Sequence, residues 1–208
     1  MKLLVSAIFA FLAVSACAED NWDNIDWSKV TPIEEMPGFW DERQIKPFMS
    51  NNVNRNRRVV GGEIVVPNSI PFQAGLLMAF AGGTGLCGGS IINARNVLSA
   101  AHCFGASTST QVILGAHQLT SVEATQQRQT VTSANYRLHA GYNPQTLQND
   151  VALLHLPNAV TFNQFIQPSV LPSALVGETF AGELATFSGL SNFPCKTIWA
   201  FNNDRKFF

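Results

Sequence analysis

The chain has 208 residues, 13 basic and 14 acidic side chains and a net charge of -1. That balance gives no electrostatic reason to bind nucleic acid or an anionic membrane surface, and neither is expected as a partner. The charge is also uneven. Residues 19–58 hold 14 of the 27 charges in 40 positions, whereas residues 59–191 hold 8 in 133, which places a boundary near residue 58.

Taken in chain order, the N-terminus reads as a secretory signal over residues 1–18. Lys2 is followed by an apolar run from Leu3 to Val14 and by the small-x-small sequence Ala16-Cys17-Ala18. A membrane anchor is the competing reading. The run is shorter than the ~20 residues a spanning helix needs, and a lipoprotein signal ending at Cys17 ranks lower still. The expected destination is the extracellular space. Residues 19–58 are polar, carry Trp22, Trp27 and Trp40, and show neither helical nor alternating apolar periodicity. They read as a pro-segment ending in Arg55-Asn56-Arg57-Arg58.

From Val59 onward the pattern is all-β. Strands are predicted over 72–80, 86–92, 97–101, 111–114, 129–137, 151–156 and 178–187. Glycine, proline and asparagine clusters at 81–85, 105–109 and 141–144 act as turn punctuation, and residues 157–177 read as a connector. Short strands at this spacing suggest a barrel or sandwich. Secretion predicts a disulfide between Cys87 and Cys103, with two free buried thiols as the alternative. Cys195 has no evident partner. Zinc lacks support, because there is no Cys-x-x-Cys pair and no His-x-x-x-His, and no cofactor is implied.

Four segments occur in order: Arg58 before Val59-Val60-Gly61-Gly62, then Cys87-Gly88-Gly89-Ser90, Ala100-Ala101-His102-Cys103 and Asn149-Asp150-Val151-Ala152-Leu153-Leu154. Together they resemble the trypsin/chymotrypsin family of serine endopeptidases. Phe72-Gln73-Ala74-Gly75 and Leu114-Gly115-Ala116-His117 look most like its arthropod digestive chymotrypsin-like members. The resemblance implies an antiparallel β-barrel fold, with residues 59–191 holding the first barrel and about one strand of the second. It implies catalytic roles for His102 as general base and acid and for Asp150 as its orienting carboxylate. It also implies an activation cut between Arg58 and Val59 by a trypsin-like protease, and protein or peptide substrates. His117, His139 and His155 carry no catalytic motif and are assigned to loops or exposed strand faces.

The family's Gly-Asp-Ser-Gly-Gly segment does not occur in these residues, so the nucleophilic serine is missing. After Gly189 the family continues Trp-Gly, whereas this chain has Leu190-Ser191. Residues 192–208 read as an unrelated tail on a C-terminally truncated domain. A secreted zymogen that is inert as it stands is the first expectation. The alternative is a non-catalytic protease homologue serving as a binding or regulatory module. A first barrel without its partner is also expected to expose an apolar face and to be poorly stable.

Overall fold

The computed structural model describes residues 22–39, 65–173, 177 and 188–190. The signal segment, the Arg58–Val59 junction, the whole predicted strand 178–187 and the tail 192–208 lie outside the described residues. Among the described residues there is no α-helix, and none is long and apolar enough to cross a membrane.

Eight strands form one curled sheet: β1 (Val30–Pro32), β2 (Gln73–Phe80), β3 (Gly83–Asn93), β4 (Asn96–Ser99), β5 (Ser109–Leu114), β6 (Gln127–Thr132), β7 (Tyr136–Leu138) and β8 (Ala152–His155). The order across the sheet is β6-β5-β2-β3-β4-β8-β7, with all of these pairs antiparallel, and β1 adds to β3 in parallel. The curl is held from inside. Tyr136 on β7 places its hydroxyl 2.7 Å from Thr110 Oγ1 on β5, and its ring packs 5.0 Å from Phe104. Alternating residues supply the core as a half-buried sheet requires: Leu76, Met78, Ile91, Val97, Val112, Leu114, Val131 and Leu154 are all buried in one cluster.

Strand ends shift by one or two residues at several places, β5 for example starting at Ser109, and three differences are larger. The turn at 81–85 is only Ala81-Gly82, because Phe80 pairs with Gly83 and β3 starts there. The strand predicted over 97–101 stops at Ser99 and becomes a 3-10 turn, Ala101–Cys103. The single strand predicted over 129–137 is two strands parted by the 3-10 turn Ser133–Asn135. β6 pairs with β5 while β7 pairs with β8, so the chain must leave one end of the curled sheet and enter the other. That change of partner has no glycine or proline to announce it.

The connector is tied to the outer edge of β6 by side chains acting as backbone. Gln127 donates to the Thr161 carbonyl (2.6 Å) and accepts from the Thr161 N–H (3.1 Å). Gln129 does the same with Asn158 (3.1 and 3.0 Å). These four bonds hold the connector beside β6, the strand at one end of the sheet order.

Gly115, just after β5, has a φ of +68°. A Cβ there would lie 2.4 Å from the Thr125 carbonyl oxygen and 2.9 Å from Ile166 Cγ1. Left-handed backbone costs a side-chain-bearing residue ~1–2 kcal/mol, and the overlap with backbone adds an overpacking cost of ~1–3 kcal/mol. Gly115→Ala is therefore expected to lower stability by about 3 kcal/mol, read as a shift in urea midpoint at unchanged slope. An unchanged midpoint would contradict it.

Residues 22–39 depart most from expectation. Read as patternless, they contain β1 and three short 3-10 turns, and they lie on the barrel. Val30, Ile33 and Phe39 are buried, and Trp22, Ile25, Trp27 and Met36 pack beside them. From Trp27 to Phe39 the apolar residues fall at every third position. Three is the repeat of a 3-10 turn, whereas searching for 3.6 or 2 finds nothing. Part of the apolar surface expected to stand exposed is thus covered by the chain's own N-terminal segment.

Candidate active site

His102 sits in the 3-10 turn that ends β4, between the buried residues Ala101 and Cys103. Its position is fixed from both sides. Cys103 is bonded to Cys87 on β3, closing a sequence separation of 16 residues, and the His102 N–H donates to Asp150 Oδ1 at 2.8 Å. The imidazole makes a second bond to the same carboxylate, with Nδ1 2.6 Å from Asp150 Oδ2. Asp150 thus accepts from backbone and ring at once, an arrangement that sets the ring's rotation and places the Nδ1 proton.

The carboxylate is aimed by its neighbours. Asn149 adopts φ +54°, a left-handed conformation that asparagine tolerates better than most residues. Its side-chain amide donates to the Gly141 carbonyl at 2.9 Å, and the Asn143 carboxamide oxygen accepts from the N–H groups of Gln145 and Thr146. The loop between β7 and β8 is thereby folded on itself, and Asp150 emerges just ahead of β8.

The other imidazole nitrogen has a partner that the motifs do not point to. Nε2 lies 3.3 Å from Glu34 Oε1, and the Phe39 ring stands edge-on to the imidazole at 5.5 Å and 77°. The His102 side chain is 15% exposed, so it is nearly enclosed by Asp150, Glu34 and Phe39. Burial is the largest single influence on its titration and acts downward. The hydrogen bonds to Glu34 and Asp150, with the charges of both carboxylates, together outweigh it, so His102 titrates above the ordinary 6.5.

A folded-state value raised above the unfolded one contributes stability that is fully present below pH 6.5. It is lost as pH rises through the folded value. The intact chain is accordingly expected to lose thermal stability between neutral and mildly alkaline pH, and Glu34→Gln is expected to flatten that slope. An identical slope in the variant would count against the Glu34 contact.

Cys87 and Cys103 offer sulfurs within 4.8 Å of a His102 nitrogen. Both sulfurs are committed to the disulfide, and zinc requires thiolates, so this cluster does not fit a metal. Ser90 is a β3 residue paired with Leu98. His155 is exposed on β8 with Nδ1 3.1 Å from Asn96 Oδ1, His139 is in an exposed loop, and His117 is half-buried in the loop after Gly115. Arg58 and Val59 lie outside the described residues. Glu34 and Phe39 were missed by sequence reasoning, and the period-three apolar stripe is the signal that could have found them.

Comparison with known proteins agrees with this geometry. The Trypsin family profile matches residues 59–190. A chymotrypsin of Phaedon cochleariae is 39% identical over 147 residues, covering 70% of this chain and 52% of that protein. Brachyurin of Leptuca pugilator is 41% identical over 119 residues, covering 57% and 50%. The solved structure of GrC superposes with a TM-score of 0.59 at 30% identity, covering 69% of this chain and 64% of that one. The chain spans about half the length of the curated relatives it matches. With the curled antiparallel sheet, the His102–Asp150 pair and a profile match over most of its length, this chain belongs to the trypsin family of serine proteases.

Proposed function

We propose that residues 59–190 are the half of a secreted serine endopeptidase that carries its general base. The protein is made as a zymogen with residues 1–18 as signal and 19–58 as pro-segment, and a trypsin-like protease opens it between Arg58 and Val59. Proteins or peptides are the substrates. The observation that carries this reading is the double hydrogen bond of Asp150 to His102. With the Nδ1 proton held by Asp150, Nε2 is the nitrogen left to take a proton from a nucleophilic hydroxyl and to return it to the leaving amine. The carboxylate stabilises the imidazolium formed between those steps.

These 208 residues hold the base and its orienter without a serine in a Gly-Asp-Ser-Gly-Gly setting. A polypeptide of this sequence is therefore expected to resist labelling by a fluorophosphonate probe even after cleavage at Arg58. A chimera joining residues 59–189 to the second barrel of the Phaedon cochleariae chymotrypsin tests the rest. It should label and cleave peptides once its chain begins at Val59. A chimera that labels equally well with His102→Ala would sink the reading.

A further inference from the structure

We propose that residues 22–39 are an intramolecular inhibitor, a strap that lies in a groove of the half-barrel and takes the proton-accepting nitrogen of His102 out of use with the carboxylate of Glu34. The inference rests on the reading of His102 as general base and adds the means by which that base is held idle.

The groove begins at β3. Val30, Thr31 and Pro32 pair in parallel with Thr84, Gly85 and Leu86, on the opposite side of β3 from β2. A three-residue parallel ladder is a weak hold, so the apolar residues must supply most of the adhesion. Val30 fits against Leu77, Leu86, Ile113 and Leu119, and Ile33 and Phe39 enter the main core at 3% and 9% exposure. Removing apolar side chains of that size from water is the dominant favourable contribution to such adhesion. Gly85 makes room for the next anchor. A Cβ at this position would stand 2.8 Å from Phe80 Cε2 and 3.3 Å from Met36 Sδ.

Placement of the strap decides what Glu34 does. It follows Ile33 immediately, so the burial of Ile33 and the register of β1 deliver its carboxylate to Nε2 at 3.3 Å. A general base must offer a lone pair on that nitrogen. Facing a carboxylate, the nitrogen is satisfied only as an N–H donor, and the opposite nitrogen already donates to Asp150. Phe39, edge-on at 5.5 Å, closes a further side of the ring. No cysteine lies in residues 19–58, so after a cut at Arg58 the strap's hold is noncovalent and reversible.

The test uses the intact chain and diethyl pyrocarbonate, which acylates accessible neutral imidazole nitrogens. Mass spectrometry of the peptides compares His102 with the exposed His139 and His155 of the same molecule. In the unaltered chain His102 should react at least about tenfold more slowly than His155, because the strap must open first. Glu34→Gln keeps the apolar anchors and removes the charge-assisted contact. It should speed His102 alone by roughly tenfold. Val30→Asp with Ile33→Asp should free the strap and bring His102 close to the rate of His155, with circular dichroism and an intact Cys87–Cys103 bond confirming that the sheet persists. If that double variant unfolds, Glu34→Gln decides alone. Labelling of His102 as fast as His155 in the unaltered chain overturns the strap, as does a Glu34→Gln rate equal to the unaltered one. Failure of the zymogen reading shows elsewhere, as limited proteolysis that yields no product beginning at Val59.

Discussion

In the activated chimera, Asp150→Asn is expected to lower kcat by about 10⁴-fold, the scale set by the same change in well-studied serine proteases. The reason is a tautomer. Asp150 accepts from the His102 N–H at 2.8 Å and from Nδ1 at 2.6 Å, so in the chimera, which lacks Glu34, the ring proton sits on Nδ1 and Nε2 keeps its lone pair. An asparagine has one accepting oxygen and one donating amide group. With its oxygen on the backbone N–H, its amide meets Nδ1, and the proton must move to Nε2. The base then faces the substrate with its proton already in place. The fold should be undisturbed, because the side chains are nearly the same shape and the backbone bond survives. Turnover at unchanged thermal stability is the measurement. A loss of less than about tenfold would mean that Asp150 does not set the tautomer.

Removing the disulfide should have the second-largest effect, on stability. Cys87 and Cys103 close a loop over 16 residues and join β3 to the turn that holds His102. In the chain-entropy account a loop of that size contributes about 3 kcal/mol. Cys103 is also 2% exposed within the main cluster. The double change Cys87→Ala and Cys103→Ala therefore removes a large part of the ~5–15 kcal/mol by which whole domains are stable. Thermal unfolding should shift down by roughly 10 °C for a unit of this size. The His102 N–H to Asp150 bond should loosen with it, because the turn loses its anchor to β3. A shift of under about 2 °C would show that packing alone holds the turn.

Stability of the half-barrel also depends on residues 22–39. Poor stability follows from the sequence if a first barrel stands alone, since its apolar face then meets water. The structure covers part of that surface with Val30, Ile33 and Phe39, and Gln127 and Gln129 hold residues 158–161 of the connector against β6. Both arrangements are built from the chain itself. A segment that composition sets apart from the domain is spatially part of its core.

Sequence alone determined the all-β class, most strand positions and the motifs containing His102 and Asp150. It did so because alternation records which face of a strand is buried, and short motifs record residues that must sit side by side. The asparagine before Asp150 belongs here too, since a left-handed position selects its residue locally. What only the tertiary structure decided involves residues far apart in the chain. Glu34 lies 68 positions from His102, and nothing in either local stretch names the other as a partner, whereas the motifs had already paired His102 with Asp150. The division of 129–137 into β6 and β7 was decided by two different neighbours, β5 and β8, competing for one continuous β-prone stretch. The strap was hidden for a related reason. Its three-residue repeat matches 3-10 turns and short extended pieces, which gain little stability on their own, so only the barrel beneath gives that pattern a structure.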